Sequence, residues 1–543
     1  MTSQPSPPPG EPRAIEPGVG VTGQVLASEL ESFGRRAERR RRLVPRAAVV
    51  GILAGLVAVL FRTALERAEE LRAALYRFAH GLGPWGVLLP IAACALAAGL
   101  ALWLVQALAP EASGSGIPYL KAVLHRLRGM RGWRLLPVKF ASGVLAIGGG
   151  LALGREGPTV QMGGAVGRAV ARWLGARPRE RRSLIAAGAG AGLAAAFNAP
   201  LAGVIFVLEE LMGGFAPGVL TAAFVASLSA DLVERLLLGQ VAVFHLRVPP
   251  APPLSLVPLF LLLGAVCALL GVAFNRSLLA SLKLFSRTAR WPRGLAAALV
   301  GAALGWAGWY LPEALGSASW LIEQTLTARL AAAVLLGYLA LRFLLTMVSY
   351  GAGTAGGIFA PLLVLGAMAG MLVGFLGRPL FPAAADHAGA FAVIGMAALF
   401  AAIVRAPLTS IVLILEMTEN FSLMLPLLAA CFTAYGLADL LGDRPIYESL
   451  LERDLLRGQD SPELEGTLIA DYTVADGSAF SHRRVAELGL PPGCLLISLR
   501  TGSRTEVPTS DTVLHPGDHL TAVISPNAAG AAALLHEGTR APG

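Results

Sequence analysis

Charge is scarce in this chain. Asp, Glu, Lys and Arg make up 15% of its 543 residues and hydrophobic residues 55%, whereas soluble proteins average about 25% charged. That balance excludes a soluble fold over most of the length. Cysteine is scarce too. Cys94, Cys267, Cys431 and Cys494 are scattered, three of them in apolar runs, which excludes a disulfide framework or a cysteine-rich metal site. The eight histidines are dispersed and no HExxH appears, so no metal, cofactor or intramembrane hydrolase is expected. No basic surface interleaved with aromatics accompanies the net charge of +9, so nucleic acid is not an expected partner. No secretory leader is visible either: residues 1–20 are rich in Pro, Gly and Ser and read as a disordered tail.

What the chain has is apolar sequence. Runs without a charge recur at 47–61, 86–110, 217–230, 254–274, 330–341, 358–377 and 406–415. Some match the roughly 20 residues that a helix needs to cross a bilayer. Others are shorter, as suits broken or re-entrant helices that line a cavity. Arg35, Arg36, Arg39, Arg40, Arg41, Arg42 and Arg46 precede the first run, and 121–134 reads as a second basic loop. The positive-inside rule places both on the cytoplasmic side.

The apolar sequence is also written twice. AAGAGAGLAAAFNAPLAGVIFVLE at 186–209 matches VIGMAALFAAIVRAPLTSIVLILE at 393–416, with Pro200 on Pro407 and Glu209 on Glu416. Upstream, GREGP at 154–158 matches GIFAP at 357–361. A membrane protein duplicated in this way, with Gly and Pro breaks at matching places, is expected to bind its solute where the breaks meet near the midplane.

Four segments carry candidate chemistry. GSGIP at 114–118 precedes a helix expected near Tyr119, whose free N–H groups and dipole suit an anion, although the same sequence serves as an ordinary cap. GREGP opens a helix expected over 159–174 and adds Glu156, a carboxylate that could itself sit in an anion site and leave on protonation; an acid in a membrane-embedded break is a functional candidate. In GIFAP, Phe359 stands in the place of Glu156. Finally, Glu209 has a counterpart in Glu416 but Glu210 faces Met417 in the repeat, so Glu209 reads as structural and Glu210 as functional. Tyr447 is a candidate phenol donor or an interfacial tyrosine.

In order, GSGIP, GREGPTVQ, AGLAAAFNAPLAG, GIFAP and the late tyrosine resemble the CLC family of chloride channels and proton-coupled chloride exchangers. The resemblance covers roughly 45–457. It implies an all-α membrane fold of two inverted repeats (45–250 and 251–457) with tilted and broken helices, assembled as a homodimer in the bilayer with both termini cytoplasmic. It also implies an anion site for chloride at Ser115, Gly116, Ile117, Arg155, Glu156, Gly157, Ile358, Phe359 and Tyr447. In the family pattern the hydroxyls of Ser115 and Tyr447 and the amides of Ile358 and Phe359 hold chloride. Glu156 is the external gate and proton carrier, and Glu210 the internal proton-transfer acid. Because channel members generally lack an acid at that place, a chloride/proton antiporter is expected, with a passive voltage- or proton-gated chloride channel as the alternative. The anion motifs show no departure from the chloride-selective pattern. The usage of Arg, Ala, Gly and Leu points to a bacterial inner membrane.

The ends differ in character. Residues 1–44 read as a disordered, basic, cytoplasmic segment, 458–466 as a linker, and 467–543 as a soluble α/β domain with strands expected at 467–474, 494–499 and 519–524. Its HPGD turn and following strand resemble the TrkA-C type of regulator. That resemblance implies a small regulatory module whose partner could be a cytoplasmic ligand such as a cyclic dinucleotide, or a packing module without one.

Overall fold

The computed structural model describes residues 21–130, 133–239, 252–317, 319–327, 330–457, 468–502, 504–525, 528 and 530–540. The first half contains α1 (Val21–Gly81), α2 (Leu88–Leu108), α3 (Ile117–Leu124), α4 (Leu135–Gly148), α5 (Glu156–Trp173), α6 (Pro178–Phe197), α7 (Pro200–Phe206) and α8 (Pro217–Leu238). The second half repeats that order as α9 (Val257–Phe285), α10 (Leu295–Tyr310), α11 (Ser319–Leu326), α12 (Ala332–Gly351), α13 (Phe359–Gly377), α14 (Ala388–Val404), α15 (Pro407–Thr418) and α16 (Met424–Leu440), followed by α17 (Ile446–Arg457). By length and apolarity, Arg41–Gly81, Pro84–Leu108, Leu254–Arg290, Ala332–Gly351, Phe359–Gly377 and Phe421–Leu440 are each able to cross a membrane. Leu135–Gly148, Leu295–Tyr310, Ala388–Val404 and Pro407–Thr418 are apolar but shorter, the mixture expected where non-helical backbone lines a polar interior.

The duplication has a packing basis. α5 crosses α6 so closely that a Cβ on Gly163 would meet the Gly188 carbonyl, and one on Gly188 the Gly163 carbonyl. In the second half, Gly366 and Gly395 stand in the same reciprocal relation where α13 crosses α14. Lipid offers no hydrophobic drive for helices to associate, so close backbone approach at small residues supplies the van der Waals contact. The exits from these helices match as well. Asn198 after α6 and Arg405 after α14 both adopt the left-handed conformation, at φ 56° and 67°, which stops each helix ahead of an Ala-Pro that starts the next.

Three expectations need correction. Residues 21–44 are not disordered: α1 begins at Val21 and runs through Pro45, so the stretch that holds the basic cluster is helical. Arg46 there bonds Glu180 (2.7 Å) on α6. The stretch 121–134 is not loop from its start, since Lys121 lies within α3. α3 and α5 both begin a few residues earlier than expected, at Ile117 and Glu156. The tail at 1–20 and the linker at 458–466 lie outside the described residues.

The C-terminal domain is a four-stranded antiparallel sheet of β1 (Leu468–Thr473), β2 (Cys494–Thr501), β3 (Arg504–Glu506) and β4 (His519–Ile524), in the order β1-β4-β2-β3, with α18 (Gly530–Thr539). Leu496, Leu499, Leu520, Ile524 and Leu535 share its core. The HPGD turn is fixed by buried Asp518, which accepts the His515 N–H (2.8 Å) and the Thr501 hydroxyl (2.6 Å).

Gly188→Val is expected to destabilise the membrane domain by about 1–3 kcal/mol, the usual result of overpacking. Gly337→Ala, at a site with open space around it, serves as the neutral comparison. Thermal scanning of the detergent-purified proteins measures both.

Candidate functional site

Backbone alone brings the breaks together. Gly154 and Gly357, the first residues of GREGP and GIFAP, exchange both N–H···O bonds at 2.7 and 2.8 Å. The two halves are thereby clasped at equivalent residues. The GSGIP segment joins them through Gly114, whose N–H donates to the Thr354 carbonyl (2.9 Å) and whose carbonyl accepts from Gly356 (3.0 Å). Gly116 sits at φ 83° against Gln161, so the turn into α3 has no room for a side chain. A Cβ on Gly157 would fall 2.7 Å from Ser115 Oγ. The starts of α3, α5 and α13 therefore converge, each a helix N-terminus with unpaired N–H groups.

The side chains there are polar but carry little net charge. Glu156 is buried, and its Oε2 accepts the Ala360 N–H (3.3 Å) in the first turn of α13. The carboxylate of one half thus lies on the helix start of the other. Ile358 and Phe359 are fully buried, and Phe359 packs against Phe197 and Phe400 with ring centroids 5.0 and 4.4 Å away. Tyr447, in the first turn of α17, is wholly buried beside Ser115. Neither Ser115 Oγ nor the Tyr447 hydroxyl has a protein hydrogen-bond partner. Buried donors left over in this way suit an acceptor supplied from outside the protein. The Arg155 guanidinium donates to the Ala196 carbonyl (3.3 Å) near the end of α6, and its charge acts on Glu156 from there.

Glu209 and Glu210 separate as their symmetry implies. Glu209 accepts the N–H groups of Leu408 (3.1 Å) and Thr409 (2.7 Å) at the start of α15. Its counterpart Glu416 accepts those of Leu201 (2.9 Å) and Ala202 (2.7 Å) at the start of α7. Each carboxylate caps the other half's helix. Glu210 lies in a π-helical turn over Val207–Leu211 and pairs with Lys121 Nζ at 3.0 Å.

Several site-building residues escaped the sequence reading. Lys139 is fully buried and donates to the carbonyls of Ala112 (2.9 Å) and Gly114 (2.6 Å), which holds the GSGIP turn from behind. Gln161 donates to Glu111 O (2.8 Å), and the Tyr350 hydroxyl lies against Gly114. A single lysine interrupting the apolar run after Leu135 was the available signal. No cluster with metal-ligand composition occurs among the described residues.

Comparison with known proteins agrees with this geometry. The family described as "Voltage gated chloride channel" matches residues 97–439, and the TrkA-C domain matches 469–535. The H(+)/Cl(-) exchange transporter ClcA of Vibrio parahaemolyticus is 40% identical over 455 residues, spanning 82% of this chain and 97% of the relative. That of Vibrio cholerae is 42% identical over 429 residues, spanning 76% and 91%. Among solved structures, a slow cyanobacterial Cl-/H+ antiporter superposes with a TM-score of 0.73 at 34% identity, covering 77% of this chain and 99% of that one.

Lys139→Met leaves the Ala112 carbonyl without its side-chain donor and the Gly114 carbonyl with the Gly356 N–H alone. A loss of about 1–3 kcal/mol is expected, the usual cost of a buried group left unpaired. Proteolysis should then cut first near GSGIP, which mass spectrometry of limited digests would locate.

Proposed function

Since the chain belongs to the voltage gated chloride channel family, we propose that its three converging helix starts form the chloride site of a chloride/proton antiporter. The protein moves chloride across the membrane in exchange for protons, the activity for which its relatives are named. The observation that carries the site assignment is the Glu156 carboxylate on the α13 helix start, beside two buried hydroxyls with no protein partner.

The chemistry follows from those groups. Chloride takes the Ser115 and Tyr447 hydroxyls and the backbone amides at Ile358 and Phe359, with Gly116, Ile117 and Gly157 bringing the backbone close. Partial charges hold the ion; a full cation would hold it too long for turnover. Arg155 acts on this site at a distance, through the field at the start of α5, because its side chain is engaged elsewhere. Glu156, on the Ala360 N–H, and chloride, on the amides of Ile358 and Phe359, compete for the same first turn of α13. A proton on Glu156 removes its charge, releases it from α13 and admits the anion, so proton and chloride movements are coupled at one carboxyl. Glu210 serves the inner end of the proton route. The carboxyl of Glu210 is the feature that favours exchange over a passive channel.

On the same reading the protein is a homodimer in a bacterial inner membrane, with both termini cytoplasmic. Its TrkA-C domain regulates transport from that side through a small ligand such as a cyclic dinucleotide.

Purified protein in chloride-loaded liposomes tests the exchange. An imposed chloride gradient should drive protons uphill, and Glu210→Gln should stop the protons far more than the chloride. Chloride flux without proton movement in the parent chain would establish a channel instead. Tyr447→Phe removes one of the two hydroxyls, a hydrogen bond of about 0.5–1.5 kcal/mol, and should weaken chloride binding by titration calorimetry to that extent.

A further inference from the structure

Glu210 does not meet Lys121 alone. Lys121 Nζ lies 3.0 Å from Glu210 Oε1 and 3.5 Å from Glu448 Oε1. The side chains of Glu210, Lys121 and Glu448 are 5%, 13% and 57% exposed, so the contacts step outward from the buried acid to water. The three residues come from the turn after α7, from α3 and from α17. Ser115 lies just ahead of α3, and Tyr447 is on α17. Glu448 directly follows Tyr447 in sequence.

Stability does not explain the outer contact. One ammonium already balances the buried carboxylate, and an ion pair to an exposed acid contributes about 0–1 kcal/mol. The other groups around Glu210 lead nowhere comparable. His125 on α3 is tied to the Leu211 carbonyl (3.0 Å), with Arg182 of α6 acting on it. Glu209 is committed to α15. Tyr447 is wholly buried. α7 carries no ionisable side chain, and the first turns of α8 carry none.

We propose that Glu448 collects cytoplasmic protons for Glu210, and that Lys121 is the relay between them. The proposal rests on the exchange reading above. A proton from water binds the Glu448 carboxylate. Lys121 then gives one N–H proton to Glu210 Oε1 as it takes the proton from the Glu448 carboxyl. One O–H bond breaks at Glu448 and one forms at Glu210. Lys121 is an ammonium before and after, Glu448 returns to the anion, and Glu210 becomes the neutral acid. In the reverse direction the same steps discharge a proton to water.

The test is the ratio of proton to chloride flux for the full chain in liposomes, measured for the parent, Glu448→Gln, Glu448→Asp and Lys121→Arg. Glu448→Gln should lower proton flux relative to chloride flux by on the order of 10²-fold, as loss of one acid–base group does. Glu448→Asp, which keeps the carboxyl, should recover most of the ratio. Lys121→Arg should behave as Glu448→Gln does, because a guanidinium holds both carboxylates but does not release a proton. Chloride flux in the same vesicles reports that each variant is folded. A parent-like ratio in Glu448→Gln, or in Lys121→Arg, overturns the proposal. A parent chain that moves no protons at all overturns the exchange reading instead, so the two failures are distinct.

Discussion

A helix that starts inside a membrane begins with N–H groups that have no partner in the helix, and hydrocarbon offers them none. The rest of the molecule answers that constraint. α7, α13 and α15 each receive a carboxylate from the opposite half: Glu416 at α7, Glu156 at α13 and Glu209 at α15. Two of these carboxylates have counterparts in the repeat. The third does not, because Phe359 stands where Glu156 would recur. The anion chemistry grows from the same need that holds the halves together. A helix start capped by a side chain that can leave is one that chloride can occupy.

The proposed exchange needs one carboxyl to move while its surroundings stay rigid. Lys139 pins the turn before α3 through two carbonyls, and Gly154 with Gly357 pins the other two breaks by backbone alone. The tight glycine crossings of α5 with α6 and of α13 with α14 fix the helices behind them. Against that frame the Ser115 and Tyr447 hydroxyls stay in place with no bond to another side chain.

Much of this was legible in the sequence because duplication makes symmetry, and departures from it, visible. The breaks, the Glu156/Phe359 difference and the separate fates of Glu209 and Glu210 all follow from aligning the chain with itself. What escaped depended on partners distant in sequence. Lys121 reads as part of a basic stretch until α3 turns it toward Glu210, whose place in the sequence is far away. Lys139 satisfies carbonyls, which leave no mark in composition. The start of α1 was missed because a Pro-rich tail followed by an Arg cluster reads as unfolded, yet helix begins at Val21 and runs through Pro45. In the C-terminal domain the three apolar strands were visible from alternation, whereas the short, exposed β3 and the small-residue α18 gave no pattern.

The reciprocal capping by Glu209 and Glu416 has an evolutionary consequence. Contacts that are the same in both directions are those of an isologous pair of identical subunits. An ancestor of half this length, inserted in both orientations, could have made them with a single gene. Such a pair could never carry a carboxylate on one side of the Gly154–Gly357 clasp and a benzyl group on the other, since every substitution would appear twice. Two acids would repel, and two phenylalanines would leave nothing to titrate. A single chain that holds both halves is free of that restriction, since each half takes its own substitutions.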